Sequence, residues 1–177
     1  MRNFSVSKGE YDDIEAITAL YRRVAAVAGG LARAVDEIHD DYVDNFVWKS
    51  LKTGVIVVAR DLKTKKIIGE IHAYALGPRV FEHVLGELTI AVDPDYQSIG
   101  VGKAIFTELM REIREERSDI LRVELIARES NAKAIAFYEK LGFEREGRMT
   151  NRIRSVGGGF EADIPMAWHR PPVGESF

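Results

Sequence analysis

The chain contains no cysteine, which excludes disulfides, thiolate metal sites and cysteine nucleophiles together and leaves the redox compartment open. Long apolar runs are also missing. Residues 1–13, MRNFSVSKGEYDD, lack the apolar core of a secretory signal, and the longest run nearby, GVIVVA at 54–59, is far too short to span a membrane. Neither sign of charge dominates: 25 Lys and Arg stand against 28 Asp and Glu, a formal net charge of -3. That balance argues against nucleic acid as the main partner, because phosphate binding needs a positive surface. His39, His83 and His169 have no metal-ligand spacing, and no metal is expected. There is no repeat, low-complexity tract or interdomain linker. The expectation is a soluble cytoplasmic protein that does not contact a membrane.

What is present suits a globular enzyme or binding module. With 177 residues, 46% apolar and 30% charged, the chain can bury a core and is expected to form one domain, 1–177. SKGE at 7–10 reads as a capping box before a helix with Tyr11, Ile14, Ile17, Tyr21, Val24 and Ala28 at helical spacing, stopped by Gly29-Gly30. A second helix is predicted to carry Leu31, Val35, Ile38, Tyr42, Phe46 and Leu51 inward, ending before Gly54. Strands follow at 55–60 and 66–74, joined by a hairpin turn, and at 84–92. A helix over 101–116, a strand over 121–127 and a short helix over 130–142 come next, with Ser130 as candidate cap and Gly142 as the left-handed stop. Two last strands, FEREGRM and FEADIPMAW, are joined through GGG at 157–159. This order predicts a mixed, mostly antiparallel sheet with helices on both faces, in which the strands at 84–92 and 121–127 form a parallel pair.

Within this order, DPDYQSIGVGKAIF at 93–106 raises a chemical question, since glycine weakens helices yet two glycines stand where a helix begins. A helix N-terminus presents unpaired amides and partial positive charge, and so suits phosphate. A dinucleotide loop would need glycine at 105, where Ile105 stands. A Walker loop would need glycine at 97 and Ser or Thr at 104, where Gln97 and Ala104 stand. Both fail. What remains is Gln97-Ser98-Ile99-Gly100-Val101-Gly102, read alone as a tight turn with close helix–strand packing or as a phosphate cradle.

That stretch resembles the acyl-CoA signature, Q-x-x-G-x-G, of the GCN5-related N-acetyltransferases (GNAT). NAKAIAFYEKLGF at 131–143 resembles the second motif of the same family, with Asn131, Ala134, Tyr138, Gly142 and Phe143 at their expected positions. The likeness covers about residues 54–167. It implies the family's α+β fold with splayed central parallel strands, and acetyl-CoA as acyl donor. By resemblance, Gln97, Ser98, Ile99, Gly100, Val101, Gly102 and Lys103 surround the diphosphate of CoA, and Ile90, Ala91 and Val92 pair with the pantetheine arm as an added strand would. Asn131 and Ala134 flank the arm, and Tyr138 is the candidate acid for the departing thiolate. Tyr138 also reads as a core aromatic beside Phe137, and Asn131 as a simple helix cap.

Glu87 is the candidate base, five residues before Val92 and acting through water, as in family members that acetylate amino-acid analogues. A solvent-facing strand carboxylate is the other reading. Strand alternation predicts Glu87, Thr89 and Ala91 on the face opposite Leu88, Ile90 and Val92. Subfamilies that acetylate ribosomal protein N-termini tend to carry glutamate where Ile126 stands, which counts against that substrate. The acceptor is expected to be a small-molecule primary amine, an amino acid or a relative of one. Arg33 reads as a carboxylate binder or as a salt bridge to Glu37 one helical turn on, and His72 as a pocket residue or a packing one. Asp36, Glu37, Asp40, Asp41 and Asp44 form an acidic face that would attract a polyamine or is merely solvated. Peptide acetylation, a non-catalytic acyl-CoA sensor and a plain nucleotide-binding module are the alternatives. Homodimers are common in the family, and no residue here selects one.

Overall fold

The computed structural model describes residues 3–155 and 157–172. Packing groups them into two compact units, one of residues up to Ala75 with Thr89–Arg117, the other of Leu76–Leu88 with the residues from Ser118 onward.

In the first unit, β1 (Phe4–Lys8), β2 (Val55–Asp61) and β3 (Ile67–Ala75) lie side by side and antiparallel, and the end of β4 (Val84–Val92) follows β3. The hairpin expected over 55–74 is there, with Ile56 opposite His72. The strand β1 was not foreseen, and Ser7 lies in it rather than capping a helix. The helix start is fixed instead at Glu10, whose amide donates to Asp13 Oδ2 at 2.9 Å, ahead of α1 (Ile14–Ala25).

The predicted second helix is shorter than its apolar spacing suggested. Helix α2 spans Asp40–Thr53, and Val35–Glu37 form only a single 3-10 turn, so Asp36 and Glu37 are not on that helix. Helices α1 and α2 bury Ile17, Leu20, Tyr21, Val43, Phe46 and Val47 against Ile56, Val58 and Ala91 of the sheet. Each such side chain is worth about 1.5–3 kcal/mol in area removed from water. Helix α3 (Val101–Glu116) has the bounds the spacing predicts and buries Ile105, Phe106, Leu109, Met110 and Ile113. Its approach to the sheet is set at Gly69, where a Cβ would stand 2.6 Å from Val101 Cγ1.

In the second unit, the start of β4 runs parallel to β5 (Arg122–Arg128), with pairs Val84↔Arg122 and Leu85↔Val123. β8 (Phe160–His169) is antiparallel to β5 along its length, from Arg122↔His169 to Arg128↔Asp163. The region read as one strand, FEREGRM, breaks at Gly147 into β6 (Phe143–Arg145) and β7 (Met149–Arg154), both antiparallel to β8. Helix α4 (Ala132–Lys140) starts two residues later than predicted and stops before Gly142, whose φ of 91° is the expected left-handed turn. The fold is therefore a mixed, mostly antiparallel α/β fold of eight strands and four α-helices among the described residues.

Candidate functional site

The glycine turn lies in the first unit, between a short 3-10 turn (Pro94–Tyr96) and α3. Ser98 has φ 65° and Gly100, the residue before α3, has φ 91° and ψ 9°. Left-handed residues alternating with others turn successive amides towards one side, the geometry of an anion-binding nest. Gln97, Ser98, Ile99 and Gly100 are all exposed, so their main chain is open to a ligand.

The two glycines do different work. A Cβ at Gly100 would meet nothing within 4 Å, so glycine is needed there for the backbone conformation alone. A Cβ at Gly102 would lie 3.4 Å from Val92 Cγ2 and 3.8 Å from Ile90 Cδ1, so that glycine lets the first turn of α3 sit against β4. Val101 is buried and Lys103 exposed, which anchors the turn on one side and leaves a cation on the other.

Ile90 and Val92 thus face α3, whereas Ala91 packs in the core beneath α1 and α2. The predicted alternation holds for these three residues. It breaks at Glu87, an exposed residue of the second unit with φ 53°, a conformation costly for any residue with a Cβ. Such a residue kinks a strand and re-aims its side chain, so parity counted from Val92 does not orient Glu87.

Also in the second unit, Asn131 Oδ1 accepts from the amide of Ala134 at 3.2 Å and caps α4. Ser130 does not cap: its own amide donates to Glu161 Oε1 at 2.8 Å. Tyr138 packs with Phe137 and Phe143 at ring distances of 5.9 and 6.2 Å, and burial pushes its hydroxyl pKa up. It therefore stays protonated through neutral pH, as a proton donor must. Ile126 is half exposed on β5.

The three acceptor candidates lie in the first unit. Arg33 does not pair with Glu37. Its guanidinium stacks 4.1 Å over the ring of Tyr42, while Glu37 Oε2 accepts from the amide of Ala34 at 2.8 Å. Two carboxylates of the acidic stretch are also engaged, Asp40 with Arg22 and Asp44 with the Tyr11 hydroxyl. His72 is buried, stacked 4.1 Å from Phe46, and its Nδ1 is 3.0 Å from Glu70 Oε1. The other oxygen of Glu70 accepts from the Tyr21 hydroxyl at 2.6 Å.

This Tyr21–Glu70–His72 chain was not foreseen. The shared strand face of Glu70 and His72 was legible, but Tyr21 lies 49 positions from Glu70. A fully buried carboxylate is tolerable only with such partners, and the Glu70 charge in turn pushes the Tyr21 pKa well up, after burial as the larger cause. Among the described residues there is no cluster of three or more His, Asp or Glu fit to hold a metal, and no helix long and apolar enough to cross a membrane.

Comparison with known proteins gives a consistent picture. The sequence profile of the acetyltransferase (GNAT) family matches residues 18–143. The ribosomal protein bS18-alanine N-acetyltransferase of Escherichia coli K12 is 38% identical over 99 residues, 54% of this chain and 63% of that protein. The chain thus matches under two thirds of that relative's length. Among solved structures, an acetyltransferase of the GNAT family from Streptococcus pneumoniae superposes with a TM-score of 0.81 at 20% identity, covering 94% of this chain and 99% of the other. A GNAT superfamily phosphinothricin acetyltransferase from Sinorhizobium meliloti, solved in complex with AcCoA, gives 0.79 at 20% identity over 98% and 95%. At these identities the two likenesses speak for the fold.

Proposed function

Because the chain belongs to the acetyltransferase (GNAT) family, we propose that it transfers an acetyl group from acetyl-CoA to a primary amine. The observation that carries this reading is the open nest at Gln97–Gly102, with left-handed Ser98 and Gly100 just before a 16-residue helix, on the family's acyl-CoA motif. Its amides and Lys103 would hold the diphosphate, and the main chain of Ile90, Ala91 and Val92 would pair with the pantetheine arm. By the family's second motif, Asn131 and Ala134 at the start of α4 are assigned to acyl-CoA binding as well.

The chemical demand falls mainly on the amine. With a pKa near ~10.4, about one part in 10³ is neutral at pH 7, a cost of roughly 4–5 kcal/mol. A thiol with pKa near ~8.5 leaves much more readily. We assign proton removal from the amine to Glu87 through water, which its exposure favours. The nitrogen forms its bond to the acyl carbon, the C–S bond breaks, the Tyr138 hydroxyl gives its proton to the sulfur, and the second proton that the nitrogen sheds on becoming an amide returns through solvent to Tyr138. Burial pushes its pKa further up from the ordinary tyrosine value, so the hydroxyl is protonated before the step.

For the acceptor we propose a small molecule bearing a carboxylate, such as an amino acid. The support is Arg33, exposed and stacked on Tyr42, with its expected partner Glu37 engaged elsewhere. His72 and Glu37 join it as acceptor-side residues, His72 through the aromatic layer and Glu37 by holding the turn that carries Arg33. A peptide N-terminal amine is the second reading, favoured by the name of the Escherichia coli relative. Homodimers are common in the family, and sedimentation reads whether this chain forms one; a single domain would melt in one transition.

A thiol-release screen of amines, amino acids and peptides with acetyl-CoA tests the proposal. Release with amino acids supports it, and release with peptides alone favours the second reading. Binding of CoA with no release for any amine would leave a non-catalytic sensor. ADP protecting as well as acetyl-CoA in a melting assay would favour a plain nucleotide-binding module.

A further inference from the structure

Asp93 has no part in the roles above, yet it is among the most tightly held side chains of the first unit. It is 1% exposed and follows β4 directly, five residues before Ser98. One oxygen accepts from Arg23 Nε at 2.8 Å and from Lys66 Nζ at 2.9 Å, and the other accepts from the amide of Asp95 at 3.1 Å. Its own amide donates to the carbonyl of Ile68 at 2.9 Å, and its carbonyl accepts from the amide of Tyr96 at 2.9 Å. Burial alone would raise its carboxyl pKa, but the bonds from Lys66, Asp95 and Arg23 together hold it below the usual carboxylate range, so it is charged at neutral pH.

Each partner comes from a different element. Arg23 lies on α1 and also donates to the carbonyl of Ile67, and Lys66 lies in the turn between β2 and β3, near the ring of Tyr96. The carboxylate therefore ties two separate segments, α1 and the β2–β3 turn, to the start of the turn that leads into the nest.

We propose that Asp93, gripped by Arg23 and Lys66, is the positioning residue that fixes the upstream end of the CoA cradle. The downstream end is already anchored, since Val101 is buried under β3. Between the two ends, Gln97 to Gly100 are exposed and include two left-handed residues, a shape these residues do not hold by their own packing. A nest binds an anion only while its amides converge, so it needs both ends fixed. The trio also carries one net positive charge beside a turn meant for an anion. A buried carboxylate with two cations is costly to desolvate. A simple strand end would have needed only the Asp-Pro turn.

This inference rests on the reading of the turn as an acyl-CoA cradle, and the test separates the two. CoA binding is measured by calorimetry, with melting temperature, for the full chain and for Asp93→Asn, Arg23→Gln and Lys66→Gln. Where transfer is seen, the acetyl-CoA KM and kcat are compared. Asp93→Asn keeps the Asp95 bond while losing the charge, and it is expected to weaken CoA binding about tenfold. It should raise the acetyl-CoA KM by a similar factor and leave kcat at saturation within about twofold. Each partner variant is expected to lose about three- to fivefold, and Asp93→Glu to recover part of the loss. A merely structural role would lower the melting temperature and the active fraction with KM unchanged, and that result overturns the proposal. If Asp93→Asn fails to fold, the partner variants decide: normal CoA affinity in both refutes it. Wild-type protein that does not bind CoA refutes the cradle itself, and this assignment with it.

Discussion

Replacing Gly100 by alanine separates a backbone requirement from a steric one. A Cβ there meets no atom within 4 Å, so alanine introduces no clash. The cost lies in the left-handed conformation, φ 91° and ψ 9°, which disfavours an L-residue by about 1–2 kcal/mol. If the turn keeps its shape, that energy is lost from stability, a fall in melting temperature of about 2–8 °C for a chain of this size. If residue 100 instead escapes to negative φ, the nest amides diverge and CoA affinity drops, by about tenfold for each ~1.4 kcal/mol of lost binding. We expect the variant to lose some of each, with CoA affinity down about tenfold by calorimetry. Gly100→Asn should stay near wild type, because asparagine tolerates the left-handed region. Alanine matching wild type in both affinity and melting temperature, or asparagine no better than alanine, would refute the argument.

The other side chains give independent tests. Tyr138→Phe should cost about 1–3 kcal/mol in kcat/KM with little change in CoA affinity, and unchanged turnover would remove Tyr138 from the mechanism. Arg33→Gln should raise KM for amino acids several-fold but not for amines that lack a carboxylate, a contrast visible in paired kinetics. Tyr21→Phe leaves one oxygen of buried Glu70 without its donor and should destabilise by about 1–3 kcal/mol in urea melts. Because the Tyr21 pKa is raised in the folded state, its hydroxyl ionises first in the unfolded chain. Its contribution is therefore full below about pH 10 and is lost above it, at about 1.4 kcal/mol per pH unit. Tyr21→Phe should flatten that alkaline slope, and an equal slope in both proteins would contradict the buried, neutral tyrosine.

The parts of the fold legible in the sequence are those where a periodic apolar pattern meets a clear stop. The stripe Val101–Ile113 and the run VLGELTIAV between Pro78 and Pro94 give α3 and β4 at the observed bounds. Where the pattern has two readings, tertiary structure decides. Leu31, Val35 and Ile38 are spaced for a helix, yet the segment forms a 3-10 turn held by the Glu37 cap on Ala34. β1 was hidden because FSVSK is short and largely polar, and it forms by pairing with β2, from Phe4↔Asp61 to Lys8↔Val57, far along the chain. The cradle was legible because its chemistry is local, with Gln97 to Gly102 contiguous. The left-handed Glu87 was not, since alternation assumes an unbroken strand. Nor were the grips on Asp93 and Glu70, whose partners lie 70 and 49 positions away.

If main-chain amides hold the diphosphate, a crystal structure with CoA bound will display them doing so. Diphosphate oxygens are expected about 3 Å from amide nitrogens within residues 98–102, with Ser98 and Gly100 still left-handed. A diphosphate bound elsewhere, or held by side chains while those amides face away, would contradict this expectation.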